Sequence, residues 1–191
     1  MTPLQVDPRL IGEHLQSLDS LLRQWHRLLP STLRDRVHLA FAGSQVSPSV
    51  RLDTQALWLV LDLLVDNAVR HGVADQPIQL VFQPDGSGTS FVLEIISVGA
   101  AAPVGPDALQ GWLRPFVRAE LDRDARRVEG AGLGLSLARQ LVESWGGTVA
   151  LAQRQSSPDQ QTETCVTVTV PLQEALGGSE AAPGDEQTDP V

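Results

Sequence analysis

Apolar residues near the start of the chain recur at the spacing of one helical face. The set advances in steps of four and three positions and stops before a proline: Ile11, Leu15, Leu18, Leu22, Trp25 and Leu29. This stripe predicts an amphipathic helix that ends at Pro30. It is too short to favour a coiled coil, so a helix packed on a sheet is expected.

A second, longer helix is predicted over residues 54–71. Its core stripe consists of Leu57, Leu61, Leu64 and Ala68. Asp53 occupies the N-cap position, where a carboxylate accepts hydrogen bonds from the first turn. Gly72 follows at the C′ position, where glycine commonly ends a helix. Both ends of this helix are therefore marked in the sequence.

Strands are indicated where apolar and polar residues alternate with a period of two. They cover residues 37–41, 50–52, 78–83, 91–98, 148–153 and 164–170. A short helix is predicted from Asp107 and another over residues 133–145, ended by Gly146 and Gly147. The order α, β, β, α, β, β, α, α, β, β predicts a mixed sheet with helices on one face, which is a two-layer α/β sandwich.

Composition narrows the possible chemistry. The 191 residues, 42% of them hydrophobic, suit one globular domain. All 14 basic residues are arginine, which excludes a lysine nucleophile, a Schiff base and a P-loop lysine. Cys165 is the single cysteine, so an internal disulfide and a cysteine-based zinc site are excluded. The net charge of −9 argues against a nucleic-acid partner.

The charge is concentrated at the end of the chain. Residues 173–191 carry five acidic side chains, no basic one, and several glycines and prolines. This composition predicts a disordered acidic tail behind an ordered domain over residues 6–172. No apolar run reaches the length of a membrane span, and the first residues do not resemble a signal peptide. Membrane contact by this segment is therefore not expected.

Asn67 is the first candidate for chemistry. It lies on a second face of the predicted long helix, one turn after Leu63 and one turn before His71 or Arg70. An amide on an otherwise apolar helix needs a partner, because burying it unsatisfied costs about 1–3 kcal/mol. Two interpretations stay open: a hydrogen bond to a neighbouring loop, or ligation of a hard cation such as Mg²⁺ through the carbonyl oxygen.

A glycine run is the second candidate. Gly130, Gly132 and Gly134 alternate with apolar residues at the start of the predicted helix over residues 133–145. Glycines allow close approach of a ligand, and the first N–H groups of a helix bind anions. Such a run is weak evidence for phosphate binding when it stands alone. It is not a Walker motif, because no lysine follows it.

Four segments together resemble, in order, the boxes of the GHKL ATPases. They are LVLDLLVDNAVRHG at 59–72, FVLEIISVGAAAP at 91–103, LRPFVRA at 113–119 and GAGLGLSLARQLVESWGG at 130–147. The sequence is most similar to the catalytic and ATP-binding domain of sensor histidine kinases. The resemblance implies the Bergerat ATP-binding fold, with ATP and Mg²⁺ as ligands.

The resemblance also implies roles for single positions. Asn67 matches the asparagine that holds the Mg²⁺ bridging the phosphates, and Arg70 and His71 match polar positions facing the phosphate tail. Phe116 matches the aromatic residue that anchors a mobile lid, here residues 117–129. The positions matching the glycine box under the phosphates and the apolar residues behind it are Gly130, Gly132, Gly134, Leu133 and Leu135.

Three positions depart from the family pattern. Ser97 replaces the aspartate that accepts a hydrogen bond from the adenine amine, although Gly99 is kept. Ala101 replaces the second glycine of the same box. Leu63 stands where related ATPases carry a glutamate or asparagine, and leucine is unable to act as a general base. These departures predict weakened ATP binding and disfavour ATP hydrolysis.

Partners and alternatives follow from what the chain lacks. His14, His26 and His38 are without the surroundings of a phosphoacceptor histidine. The resemblance therefore implies a histidine-bearing dimerisation domain, in the same longer protein or in another chain, and indirectly a response regulator, with a cytoplasmic location. One alternative is a degenerate domain that docks without binding nucleotide. Another is an anti-sigma serine kinase of the same superfamily.

Overall fold

A mixed five-stranded sheet forms the centre of the molecule. The computed structural model describes residues 16–42, 49–50, 53–87, 89–99, 105–115, 133–156 and 161–172. Its strands are β1 (Gln16–Ser17), β2 (Val37–Phe41), β3 (Ser49–Val50), β4 (Ile78–Pro84), β5 (Ser90–Gly99), β6 (Thr148–Ser156) and β7 (Gln161–Pro171). The main sheet has the order β2-β4-β5-β7-β6, and β1 pairs separately with β3. β2 and β4 run parallel, whereas the other neighbours in the main sheet are antiparallel.

Helices cover one face of this sheet. They are α1 (Leu18–Leu28), α2 (Ser31–Arg34), α3 (Thr54–His71), α4 (Pro106–Trp112) and α5 (Gly134–Ser144). On β5, Phe91, Leu93 and Ile95 are fully buried beneath the helices, while the alternate residues on the outer face stay half exposed. The predicted two-layer α/β sandwich with a mixed sheet is therefore confirmed.

The long helix begins and ends where the sequence predicts. The Asp53 carboxylate accepts hydrogen bonds from the Gln55 and Ala56 amides, at 2.8 and 3.3 Å. The end of the helix differs from the expectation. Gly72 has an extended backbone, with φ −83°, instead of the left-handed conformation of a C′ glycine. Glycine is needed there because a Cβ would lie 2.4 Å from the carbonyl oxygen of Ala68.

The start of the first helix also requires a correction. Gln16 and Ser17 form β1, so the helix begins at Leu18, although the apolar stripe extends to earlier positions. The reason is that Gln16 pairs with Val50 and Ser17 keeps an extended backbone at the N-cap. The short α2 that follows Pro30 was not predicted. Ile11 and Leu15 lie outside the described residues.

The last hairpin is longer than its apolar pattern indicates. β7 begins at Gln161 and β6 continues to Ser156, both beyond the predicted limits. The additional residues are mostly polar, and their register pairs Arg154 with Glu163. A polar run in a paired strand lacks the apolar alternation by which strands are recognised in a sequence. The predicted tail, residues 173–191, lies outside the described part of the chain.

Candidate functional site

The second face of α3 carries the polar residues of the candidate site. Leu63 and Asn67 are half-buried beside the core stripe, while Arg70 and His71 at the end of the helix are exposed. The Arg70 guanidinium donates a hydrogen bond of 2.6 Å to the Asp66 carboxylate one turn earlier. This pair directs Arg70 along the exposed surface of α3.

His71 has a perturbed pKa. Neighbouring protein atoms desolvate its ring and lower its pKa below the ordinary value of 6.5, and the positive charge of Arg70 lowers it further. The Asp66 carboxylate acts in the opposite direction, with a smaller effect. The neutral ring is therefore favoured in the folded protein.

The end of β5 lies directly beneath the end of α3. Ser97 is 8% exposed and faces the helices, as does the position of Gly99. A Cβ at Gly99 would lie 3.4 Å from the His71 carbonyl oxygen and 3.6 Å from that of Thr162. Because glycine leaves this space without a side chain, the helix end and the two strands approach closely here.

Two threonines on β7 belong to the same corner, and the sequence reasoning missed both. Thr162 pairs with Gly99, and Thr164 pairs with Ser97. Thr162 is 1% exposed, and its hydroxyl has no hydrogen-bond partner among the residues described. The Thr164 hydroxyl accepts a hydrogen bond of 2.9 Å from the Gln153 amide. The sequence signal was available, since residues 162 and 164 share the alternation of the buried valines after them.

The N-terminus of α5 forms the opposite wall. Leu133 is the N-cap residue, and its side chain makes no capping hydrogen bond to the first turn. The first N–H groups of α5 thus have no side-chain cap and suit an anion. A Cβ at Gly134 would lie 4.0 Å from Leu63, which places this helix end against the second face of α3.

The two leucines at the start of α5 differ in burial, while their packing behind the glycine box stays a prediction because Gly130 and Gly132 lie outside the described residues. Leu133 and Leu135 were both expected to pack behind the glycine box. Leu135 does pack against the core, but Leu133 is 41% exposed. Leu133 precedes the first turn of α5, so its side chain is not carried on the inward face of that helix.

Part of the predicted site lies outside the described residues. This applies to Phe116, Ala101, Gly130, Gly132 and the proposed lid at 117–129. Their predicted roles stay predictions. The described residues nevertheless bring Asn67, His71, Ser97, Gly99 and the start of α5 to one corner of the molecule.

The side chains at this corner determine how the expected magnesium ion would be held. Within the described ranges, no group of three histidine, cysteine or carboxylate side chains is placed to hold a metal ion. Asn67 offers one amide oxygen, a ligand type that Mg²⁺ accepts, while Mg²⁺ commonly takes other ligands from substrate phosphates and water. The site fits Mg²⁺ carried by a nucleotide better than a metal held by protein alone.

Neither Leu63 nor its neighbour Asp62 is placed to act as a general base at this corner. Leu63 is apolar, and the nearby Asp62 is engaged elsewhere, where its carboxylate accepts a hydrogen bond of 2.8 Å from the Trp25 indole. That contact holds Asp62 toward α1. Its side chain therefore packs α1 against α3.

These features define an α/β domain in which the Asn67 face of α3, the end of β5 and the uncapped start of α5 lie at one corner. The model of one family, the histidine kinase-, DNA gyrase B- and HSP90-like ATPases (HATPase_c), matches residues 52–174. The chain belongs to this family. The resemblance to the catalytic domain of sensor histidine kinases is thereby confirmed, and membership of the family implies nucleotide binding.

Curated relatives are sensor kinases. The alginate biosynthesis sensor protein KinB of Pseudomonas aeruginosa is 29% identical over 70% of this chain and 21% of its own length. The sensor histidine kinase ZraS of Escherichia coli K12 is 26% identical over 78% of this chain and 30% of its own length. The chain thus spans less than a third of either relative.

Solved structures share the fold. The catalytic domain of the histidine kinase ThkA has a TM-score of 0.63 at 19% identity, over 82% of this chain and 93% of that domain. The mycobacterial sensor histidine kinase MprB has a TM-score of 0.61 at 19% identity, over 81% and 93% of the two chains. None of the helices in the described part of this chain is long and apolar enough to cross a membrane.

Proposed function

We propose that this chain binds Mg-ATP between α3, the ends of β5 and β7, and the start of α5. As the catalytic domain of a sensor histidine kinase, it would then pass the γ-phosphoryl group to a histidine on a separate dimerisation domain. That histidine in turn serves a response regulator. The observation that carries the proposal is the convergence of the Asn67 face of α3, Gly99 at the end of β5 and the uncapped start of α5.

Each part of the corner has a role in this proposal. The Asn67 carbonyl oxygen holds the nucleotide through its Mg²⁺, and the first N–H groups of α5 bind the phosphates. When bound, Mg²⁺ neutralises phosphate charge. His71 and Arg70 stand at the phosphate end, and Ser97 with Gly99 forms the floor for the base. Phe116, Gly130, Gly132 and the segment 117–129 complete the site as the resemblance implies.

The lack of a general base at positions 62 and 63 favours phosphoryl transfer over hydrolysis of ATP. Leu63 does not activate water, and Asp62 is bonded to Trp25. Bound ATP is therefore hydrolysed slowly and keeps its γ-phosphoryl group until an acceptor arrives. The acceptor imidazole nitrogen attacks the γ-phosphorus, the bond to the bridging oxygen breaks, and ADP leaves. Positioning and charge neutralisation supply the catalysis.

The proposal is tested by calorimetric titration of the chain with Mg-ADP and a non-hydrolysable ATP analogue. We expect dissociation constants in the micromolar to sub-millimolar range. Asn67→Ala should abolish the contribution of Mg²⁺ to the affinity for nucleotide. Gln55→Ala removes an exposed amide from the first turn of the same helix and should leave the titration unchanged.

The alternative is a docking module with little affinity for nucleotide. The replacement of an expected carboxylate by the uncharged Ser97 favours it, because a hydrogen bond to a charged group contributes about 1.5–3 kcal/mol. No heat at millimolar ligand, from a chain that is folded by circular dichroism, would establish this alternative and refute the kinase proposal. Transfer of radiolabel from ATP to an added dimerisation domain, stable to base and labile to acid, would exclude it.

The extent of the domain and its location belong to the same proposal. We infer that residues 6–172 form the ATP-binding domain, that residues 173–191 are an acidic tail, and that the domain works in the cytoplasm. Removing the tail should leave Mg-ADP binding unchanged. A change of more than about tenfold in affinity, equal to 1.4 kcal/mol, would instead assign the tail to the site.

A further inference from the structure

We propose that the base subsite of this domain accepts purines with either an amino group or a carbonyl at position six. The chain would then take guanine as well as adenine nucleotides. The inference rests on the proposed nucleotide function and names the substrate class of the same corner. Its evidence is the set of inward-facing polar side chains at the ends of β5 and β7.

Hydroxyl groups dominate this corner. The register pairs Ser97 with Thr164 and Gly99 with Thr162, and all four positions face the helices. Ser97 and Thr162 are almost completely buried. Glu163, the acidic residue between the two threonines of β7, faces the outer side of the sheet and pairs with Arg154. The described floor of the subsite is therefore polar and uncharged.

Thr162 indicates that a ligand completes the corner. Its hydroxyl is buried, and among the described residues no group bonds to it. A buried polar group without a partner is costly to fold. The position opposite is Gly99, which adds no side chain between Thr162 and the His71 carbonyl oxygen. An unsatisfied buried hydroxyl beside a position without a side chain points to a hydrogen bond made with a bound molecule.

The chemistry of hydroxyl groups decides the selectivity. A carboxylate only accepts hydrogen bonds, so it favours an amino group and repels a carbonyl. A hydroxyl rotates to donate or to accept, and it serves either group. The Thr164 oxygen already accepts from the Gln153 amide, which leaves its own proton free to be donated. The corner thus offers both an acceptor for the amine of adenine and a donor for the carbonyl of guanine.

The test compares nucleoside diphosphates by calorimetric titration of the whole chain. ADP and GDP should bind within about threefold of each other, while CDP should bind at least about tenfold more weakly, because its single ring buries less surface and carries its amino group less far into the corner than a purine does. A preference of wild type for ADP over GDP above about tenfold would overturn the proposal. CDP binding equal to that of ADP would also overturn it, since only the phosphates would then be recognised. No binding by any nucleotide would instead refute the proposed function.

Ser97→Asp should introduce a preference for adenine over guanine nucleotides. The new carboxylate should strengthen ADP and weaken GDP, and so raise their affinity ratio to about tenfold or more. Ser97→Ala is the matched control, since it removes the hydroxyl without adding an acceptor and should weaken both ligands alike. An unchanged ADP to GDP ratio in a folded Ser97→Asp variant would show that this position does not face the base.

Thr162→Val separates a ligand-binding role from a structural one. Because valine removes the unpartnered hydroxyl, the variant should unfold at a higher temperature and still bind both purine nucleotides about threefold to tenfold more weakly. Thr169→Val changes a half-buried threonine on the outer face of the same strand and should leave binding unchanged. Unaltered affinity in Thr162→Val would overturn the assignment of this hydroxyl to the base subsite.

Discussion

Gly72 connects the end of α3 to the strand beneath it, so its replacement tests how the site is held. A Cβ at this position would lie 2.4 Å from the Ala68 carbonyl oxygen, closer than the 3.0 Å below which real Cβ contacts essentially do not occur. The crowded atom belongs to the backbone, so no side chain can rotate away. The Gly72 amide bonds to that same oxygen at 2.9 Å, and the next amide, of Val73, bonds to the Val98 carbonyl oxygen at 2.7 Å.

Gly72→Ala should therefore destabilise the fold. Losing one or both backbone hydrogen bonds costs about 1–3 kcal/mol, and moving the backbone adds strain. The reduced freedom of the unfolded chain returns about 0.4–1 kcal/mol. The net expectation is a loss of about 2 kcal/mol in the free energy of unfolding, measured by urea denaturation. Mg-ADP binding should also weaken, because His71 precedes the displaced residue.

The control is a glycine in open space. A Cβ at Gly111, inside α4, would meet no atom within 4 Å. Gly111→Ala should be neutral or stabilise by up to about 1 kcal/mol, as alanine does inside helices. If the two variants change the free energy of unfolding equally, within about 0.5 kcal/mol, then the contact with the Ala68 carbonyl oxygen does not make Gly72 necessary.

Three further changes test the supports around the site. Asp53→Ala should cost about 1 kcal/mol of stability in urea denaturation, because the N-cap carboxylate of α3 is lost; an unchanged midpoint would contradict the cap. Trp25→Phe removes the hydrogen bond to Asp62 and should lower the free energy of unfolding by about 1 kcal/mol. Mg-ADP binding measured by calorimetry should stay unchanged, and altered binding would show that Asp62 contacts the nucleotide. Because the pKa of His71 is lowered, the folded protein binds this proton less readily than the unfolded chain does. The free energy of unfolding should therefore decrease as pH falls below 6.5 and rise again as pH returns to that value. His71→Asn should flatten this part of the stability profile in urea denaturation at pH 5 and pH 7.5, and an equally steep profile would show that another group is responsible.

The sequence predicts α3 and β2 well because local signals coincide there. Asp53, the buried leucines and Gly72 all mark the same helix, and β2 alternates cleanly between Pro30 and the next turn. It predicts β1 and α2 poorly. The two residues of β1 have no pattern of their own, and their strand exists because Val50 is available to pair.

The site is predicted to a similar, partial extent. Asn67, Ser97 and Gly99 stand in recognisable motifs, and the fold brings them to one corner. The two threonines of β7 carry no motif, so their importance emerges only when the register places them opposite Ser97 and Gly99. The exposure of Leu133 was not predicted, because a helix start recognised from glycines does not give the direction of the residue before its first turn.

The most direct test of nucleotide binding at this corner is a titration of the ¹⁵N-labelled chain with Mg-ADP, followed by NMR. If Mg-ADP binds there, the largest changes in amide chemical shift should fall at His71, Gly99, Thr162 and the first turn of α5. Shifts confined instead to the groove between α2 and α3, lined in part by Leu33 and Val65, would contradict it. So would unchanged spectra of a folded chain at millimolar Mg-ADP.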